Sequence, residues 1–486
     1  MIELILFGSF FLLLFIGVPV AFSLGLAAIT TLVYTAGIGQ LSVIPSVIYA
    51  SLSSETLLAI PFFILAGAIM EYAGISARLI DFADACVGRF KNGLAMVVVI
   101  SAFFFSAISG SGPATVAAIG SILIPALIRR GYAKRHAASM VAAAGSMGIV
   151  VPPSIAFIVF AVVVSDFQRV SIGRLFIAGI VPGLMMAVAL IVAASLVPRM
   201  MPAAGREPAL AGAAGATGTR AADDAATVSS GSGPGHGSSA HLAPAADHRS
   251  EVEQEVGEHV GDGRAGTHWF RSFLHAVPGL LVPVIILGGI YGGIFTPTES
   301  AVVASTYALF VGLVVYREIS ILKLPTVFTV AAVQSSVVML IVGSASVFAY
   351  VITANQVAST VADALLSITE NRFLILLIVL LMLLVVGMFI DAVSALYLFV
   401  PLLAPVLLEV GVDVTTIGVL MVVNLAVGMI TPPVGVNLFV AAGIAKTSLG
   451  DVIRGSVPFL VAVMIVLFLV TYLPILSNWL PDLLGV

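Results

Sequence analysis

Runs of about 20 apolar residues, each long enough to cross a bilayer core of roughly 30 Å, recur along nearly the whole chain. They predict helical spans near 2–17, 19–36, 56–76, 93–129, 137–164 and 174–197. A second series follows near 275–293, 296–316, 325–352, 373–408, 414–444 and 456–476. Between the two series the pattern stops. Residues 203–267 are rich in Ala, Gly, Ser, His and Asp with almost no large apolar side chain, a composition that cannot bury enough surface to offset chain entropy. The sequence therefore divides into a first half (1–202), a predicted disordered linker (203–267) and a second half (268–486).

Two of the runs in each half are interrupted. "FFFSAISGSGPATVAAIGSILIPALIRRG", from Phe103, carries Ser109-Gly110-Ser111-Gly112-Pro113 in its middle, a string unsuited to a continuous helix. "GSMGIVVPPS" interrupts the chain again at Gly145 to Ser154. Writing "ILIPALIRRGY" over "LLAPVLLEVGV" aligns Pro125 with Pro405 and Gly131 with Gly411. The same offset of 280 carries Val151-Pro152-Pro153 onto Thr431-Pro432-Pro433 without a gap. The second half then has its own breaks, "FIDAV" at Phe389 to Val393 and "VGMITPPVGVN" at Val427 to Asn437. Internal repeats with interrupted helices at matching positions point to the binding site of a secondary transporter.

Composition fixes the class: 60% of the residues are hydrophobic and 9% charged, and the approximately 10-residue alternation of a membrane β-barrel is absent from the pattern. The expected fold is an all-α polytopic membrane protein. The one cysteine, Cys86, leaves no internal disulfide, and no Cys/His spacing suggests a transition-metal site. The N-terminal run follows Glu3 with no Lys or Arg before it and is read as a retained first span.

Charge sets the orientation. The first broken pair, 93–129, is flanked by Arg89, Lys91, Arg129, Arg130, Lys134 and Arg135, its counterpart at 373–408 by Glu370, Arg372, Glu409 and Asp413. Basic flanks face the cytoplasm. If both pairs are re-entrant hairpins, each half has five full crossings, and an odd number inverts the second half relative to the first. This threading places both termini in the periplasm and most of the 20 Lys and Arg on the cytoplasmic side.

Irregular backbone at membrane depth persists only where it lines a cavity or is buried in protein. Each hairpin tip therefore carries free N–H groups, carbonyls and hydroxyls into the bilayer. Helices starting at Pro113 and just after Asp391 direct a partial positive charge at the tip, which suits a carboxylate. The carbonyls of the preceding half-helices suit a hard cation such as sodium. Glycines that merely allow close helix packing are the structural alternative for any single break, though four breaks at repeat-equivalent positions argue against it.

The motifs "SGSGPATVAAIGSILIPALIRRGY", "AAGSMGIVVPPSIAFIVFA", "GGIFTPTESAVVA", "GMFIDAVSALYLFVPLLAPVL" and "NLAVGMITPPVGVNLFVAAGIA" together resemble the large membrane subunit, the DctM-like subunit, of tripartite ATP-independent periplasmic (TRAP) transporters. The resemblance covers almost everything except the linker. It implies a sodium-coupled, elevator-type importer of organic acids, such as C4-dicarboxylates or sugar acids, in a bacterial inner membrane. It also implies two partners, a DctP-like periplasmic solute-binding protein and a small DctQ-like membrane subunit, with sodium as coupling ion and no other cofactor. Two departures are a linker longer than the usual mid-chain loop and Ala392 where proline is common.

On that reading Ser109, Gly110 and Ser111 with Gly145 and Pro152 form a first sodium site, and Gly387, Met388 and Asp391 with Gly428 and Thr431 form its counterpart. A carboxylate at membrane depth is a functional candidate, yet Asp391 opens a helix and is equally placed to cap it. Pro113, Thr115, Ser154, Ser394 and Asn437 are candidate substrate contacts, with hydroxyls serving helix packing as the alternative. Thr296-Pro297-Thr298-Glu299 is a capping box with an early proline, so Glu299 has a structural explanation. His136, in "RRGYAKRHAAS", is expected in a cytoplasmic loop.

Competing classes are a single-component carboxylate carrier of similar design, a channel and a membrane enzyme. A channel needs continuous polar stripes, whereas the polar residues cluster at breaks. "GSGPAT" lacks the Lys and the spacing of a phosphate-binding loop, and no nucleotide, nucleic-acid or hydrolytic motif is visible. Deleting most of 203–267 is expected to leave uptake at the level of the intact chain. Normal membrane amounts of the shortened protein with lost uptake would refute this.

Overall fold

The computed structural model describes residues 2–90, 92–200, 269–369 and 371–485, so the linker prediction for 203–267 lies outside the described residues. The first half comprises α1 (Ile2–Phe15), α2 (Val20–Ala36), α3 (Val43–Leu52), α4 (Ala59–Tyr72), α5 (Ile75–Val87), α6 (Gly93–Ser109), α7 (Gly112–Arg129), α8 (Lys134–Gly145), α9 (Ile155–Val164) and α10 (Ile172–Met200). The second comprises α11 (Trp269–Tyr291), α12 (Pro297–Phe310), α13 (Leu324–Ala354), α14 (Val357–Ile368), α15 (Arg372–Gly387), α16 (Ala392–Glu409), α17 (Val414–Gly428), α18 (Val436–Ala445), α19 (Leu449–Tyr472) and α20 (Ile475–Leu483). No strand occurs among the described residues, as an environment without water demands of any element that is not a closed barrel.

The element order repeats with the offset read from the sequence: α7 and α16 begin at 112 and 392 and end at 129 and 409. One pair differs. Ser53 and Ser54 separate α3 from α4, whereas the corresponding Val333 and Gln334 lie inside the 31-residue α13. At 1.5 Å per residue α13 reaches about 46 Å, longer than a bilayer core, so it must tilt or extend beyond it.

The sequence reading had no helix for α3, α5, α14 or α20. These are short: α5 buries Ile75, Leu79, Ile80 and Ala83 and keeps Arg78, Asp81 and Asp84 on the other side. Their apolar stripe is narrower than a spanning run, and a search for long apolar runs passes over it. His136 is also corrected: it lies in α8, 5% exposed. Arg135 Nε donates to its Nε2 at 2.8 Å. The helix starts one turn earlier than its flanking charges suggest.

Packing interlocks the halves. α2 lies against α13 and, at the equivalent place, α4 lies against α12. α8 brings small residues to the interior, with Ala137, Ala138, Ala142, Ala143, Ala144 and Gly145 all buried, the composition that lets backbones approach when lipid supplies no hydrophobic drive.

Polar ties join the helix ends in two groups. In one, Arg78 donates to the Ala73 and Gly74 carbonyls, pairs with Glu318 at 3.0 Å and lies 3.9 Å over the Tyr316 ring. Tyr316 in turn donates to the His275 carbonyl, Asn92 Nδ2 donates to the Ser195 carbonyl, and Gly455 packs on Arg135. In the other, Thr298 donates to the Glu55 carbonyl, Tyr472 donates to the Phe373 carbonyl, and Arg174 reaches Thr415 and Asp482. Residues 280 apart fall into opposite groups: Arg135 against Thr415, Arg174 beside the counterpart of Gly455.

Candidate functional site

The first tip forms because α6 cannot continue through Gly110, which adopts φ +61 and donates to the Ser106 carbonyl. Ser111 is extended and opens α7. Its carbonyl accepts from Ser109 Oγ at 2.9 Å, Thr115 Oγ1 at 2.8 Å and the Thr115 N–H at 3.1 Å, while Ser109 Oγ accepts from the Ser111 N–H. With its carbonyl engaged three times, Ser111 has its hydroxyl left to offer, which makes no capping bond. Pro113 occupies the first turn of α7, where its missing N–H costs nothing.

The second break packs directly on this tip. α8 ends at Gly145 against Val116, and a 3-10 turn, Ser146–Ile149, follows before Pro152. A Cβ on Gly148 would stand 2.5 Å from the Ser111 carbonyl oxygen. The predicted members of the first site, Ser109, Gly110, Ser111, Gly145 and Pro152, therefore belong to two chain segments in contact. Ser154 lies one residue before α9 rather than inside it, and its hydroxyl donates to the Ile149 carbonyl.

The second half builds the same arrangement with other side chains. Asp391, the counterpart of Ser111, caps α16, accepting from the Ser394 N–H at 3.1 Å and from the Ser394 hydroxyl. The capping role considered from sequence is present. It occupies two of a carboxylate's roughly four acceptor positions and leaves the rest free. Gly387 and Gly428 meet backbone to backbone: a Cβ on Gly428 would lie 2.6 Å from the Gly387 Cα. Beyond the turn, the Gly435 N–H donates to the Met388 carbonyl at 3.2 Å, and Thr431 Oγ1 donates to the Val427 carbonyl at 2.7 Å. The bonds Pro152–Pro153 and Pro432–Pro433 are both cis.

Asn437 joins the two assemblies. It is fully buried in α18, its Nδ2 donates to the Ala142 carbonyl of α8 at 3.3 Å, and its amide lies against Gly112 at the start of α7. Its Oδ1 has no partner among the described residues, and a buried acceptor left without one costs about 1–3 kcal/mol. That orphaned oxygen sits where both halves meet. The sequence missed this junction because the contact of Gly112 with Asn437 spans 325 positions in the chain and leaves no local pattern.

Chemically, the two assemblies supply hydroxyl, carbonyl, amide and carboxylate oxygens, which are hard donors. Among the described residues no group of three or more His, Cys, Asp or Glu could hold a metal ion. Glu299 stands apart: it completes the capping box with Thr296, accepting from the Thr296 N–H at 2.8 Å while Thr296 Oγ1 accepts from the Glu299 N–H.

Comparison with known proteins agrees with this architecture. A chain of the YdaH transporter from Alcanivorax borkumensis superposes with a TM-score of 0.58 at 16% identity, covering 93% of this chain and 90% of that one, a likeness of fold. The isethionate TRAP transporter permease protein DctMQ of Oleidesulfovibrio alaskensis is 38% identical over 474 residues, 97% of this chain but 65% of that longer protein. The large permease protein DctM of a C4-dicarboxylate TRAP transporter from Pseudomonas aeruginosa is 37% identical over 88% of this chain and 87% of its own length. The profile of the DctM component of the tripartite ATP-independent periplasmic transporters matches residues 7–476. With a family match over nearly the whole chain and a 37% identical relative covered to 87% of its length, the chain belongs to the DctM family, the large membrane permease component of TRAP transporters.

Proposed function

We propose that this permease imports an organic acid, a C4-dicarboxylate or a related carboxylate or sugar acid, with sodium as the coupling ion. The observation that carries the proposal is the junction at Asn437, where the starts of α7 and α18 meet beside the Ala142 carbonyl and the unpartnered Asn437 Oδ1 inside an all-helical membrane protein. Helix N-termini favour an anion and the oxygens favour a hard cation. Ser109, Gly110, Ser111, Gly145 and Pro152 would hold one sodium ion, and Gly387, Met388, Asp391, Gly428 and Thr431 a second. Pro113, Thr115, Ser154, Ser394 and Asn437 would contact the substrate. The names of the relatives, isethionate and C4-dicarboxylate permeases, are consistent with a small organic anion.

The substrate would arrive on a periplasmic solute-binding protein, and a small DctQ-like subunit would complete the membrane part, a partnership supported by the DctMQ name of the longer relative. The two halves would be inverted repeats, each with about five crossings and one re-entrant hairpin, moving by an elevator displacement in a bacterial inner membrane. The two groups of polar ties support inversion, since every tie joins ends that this threading assigns to one side.

Uptake in proteoliposomes tests the function. Organic acid is expected to accumulate only with an inward sodium gradient, the binding protein and the small subunit together. Equal uptake by the permease alone would favour the single-component carrier. Orientation is tested separately with a fusion after Val486: alkaline phosphatase is expected to be active, and an inactive fusion beside an active cytoplasmic reporter would overturn the inverted threading.

A further inference from the structure

The two short helices that follow the breaks, α9 and α18, are repeat counterparts of ten residues each, yet they are covered differently. Val159 of α9 is fully buried, while the residue 280 positions later, Phe439, is 52% exposed. Ser154 is 1% exposed and its counterpart Val434 37%. The difference comes from neighbours. α9 is closed off by α4 and the 3-10 turn Glu55–Leu58 in addition to α16, α17 and α10, whereas α18 packs on α7, α8 and α19.

The open face of α18 runs from Val434, beside the break, through Phe439 and Gly443 to Lys446. It ends in a cavity of about 470 Å³ lined by Phe439, Gly443, Lys446, Thr447 and Ser448. Lys446 is exposed, and no described residue forms an ion pair with it. Exposure alone does not mark this face, since Val385 is exposed where its counterpart Phe105 is buried; what sets it apart is that it joins the second break to an exposed lysine.

We propose that this groove is the aqueous route by which the organic acid leaves the site toward the cytoplasm, and that Lys446 is the cation that draws its carboxylate to the mouth. The inference rests on the proposed organic-acid function. Its elements are a path starting at the second break, a cavity wide enough for a small organic anion, and an exposed lysine where the path opens, while the Asp451 carboxylate at the rim is held by Ser448 and Arg454.

The test has two arms. With Cys86→Ser as background, Phe439→Cys and Gly443→Cys are labelled in inside-out vesicles by a membrane-impermeant methanethiosulfonate, beside Val461→Cys, a 55% exposed position on α19. Labelling is expected at 439 and 443 and not at 461. Equal protection of all three positions means the groove is filled by lipid and overturns the route. In the second arm, Lys446→Gln is expected to raise the half-saturating substrate concentration on the cytoplasmic side about tenfold, the low end of electrostatic attraction in a cleft. Half-saturation from the periplasmic side, with binding protein supplied, is expected to change less than about twofold, and Lys446→Arg to restore the cytoplasmic value. Unshifted values, or equal shifts on both sides, overturn the role of Lys446. Labelling at 439 with no carboxylate flux through the unmodified chain refutes the organic-acid reading and the lysine's role with it, while the groove stands as an aqueous route.

Discussion

Gly428→Ala and Gly148→Ala are each expected to reduce sodium-driven uptake to a small fraction of the parent's. The new methyl group has no room: it would lie 2.6 Å from the Gly387 Cα in the first case and 2.5 Å from the Ser111 carbonyl oxygen in the second. Both obstacles are backbone, which cannot swing aside as the end of a side chain can. Overpacking of this kind costs typically about 1–3 kcal/mol. Because the two surfaces forced apart are the walls of the proposed cation sites, the cost falls on the closed, ion-bound arrangement. A loss of that size corresponds to roughly 5- to 150-fold in affinity. Gly288→Ala, where an added Cβ meets nothing within 4 Å, serves as the control and should transport normally. Uptake against sodium concentration, with protein amount in the membrane measured in parallel, checks the expectation. A Gly428→Ala protein with parental sodium dependence would show that the contact is packing alone.

Asp391→Asn separates two roles that the structure allows in one side chain. As a cap, Asp391 accepts from the Ser394 N–H and hydroxyl, and asparagine is as good a cap as aspartate, so this role predicts at most a few tenths to about 1 kcal/mol of lost stability. As an ion ligand, it supplies a negative charge in a region where a cation has otherwise only dipoles to meet. Removing that charge is expected to move the sodium curve to about tenfold higher concentration or to end uptake, in a protein that still folds. Sodium and substrate should still raise each other's affinity by one common factor, smaller than in the parent, because linkage is reciprocal. An unshifted sodium curve would take Asp391 out of the site.

Much of this was legible from residue order alone, for identifiable reasons. A break such as Ser109 to Pro113 is read directly, because glycine and proline act on the backbone locally. The pairing of α7 with α16 came from proline spacing. The short helices α5 and α14 escaped because their burial is decided by neighbours distant in sequence. His136 was misread for the same reason: two flanking cations say "surface", while Gly455, more than 300 positions away, packs on the backbone of Arg135 beside it. The candidate residues were right in kind but could not be ranked. Only three dimensions showed that Asn437 and Met429 reach Gly112 from the second half and that the Ser111 carbonyl is already engaged.

The exchange of partners between α2, α13, α4 and α12 has a consequence for heredity as much as for mechanics. Each half holds its neighbour's crossing helix, so the halves are joined by packing as well as by the chain that connects them. A gene encoding one such repeat would leave the same groove unfilled, and two copies of its product could fill each other's grooves by pairing about a two-fold axis.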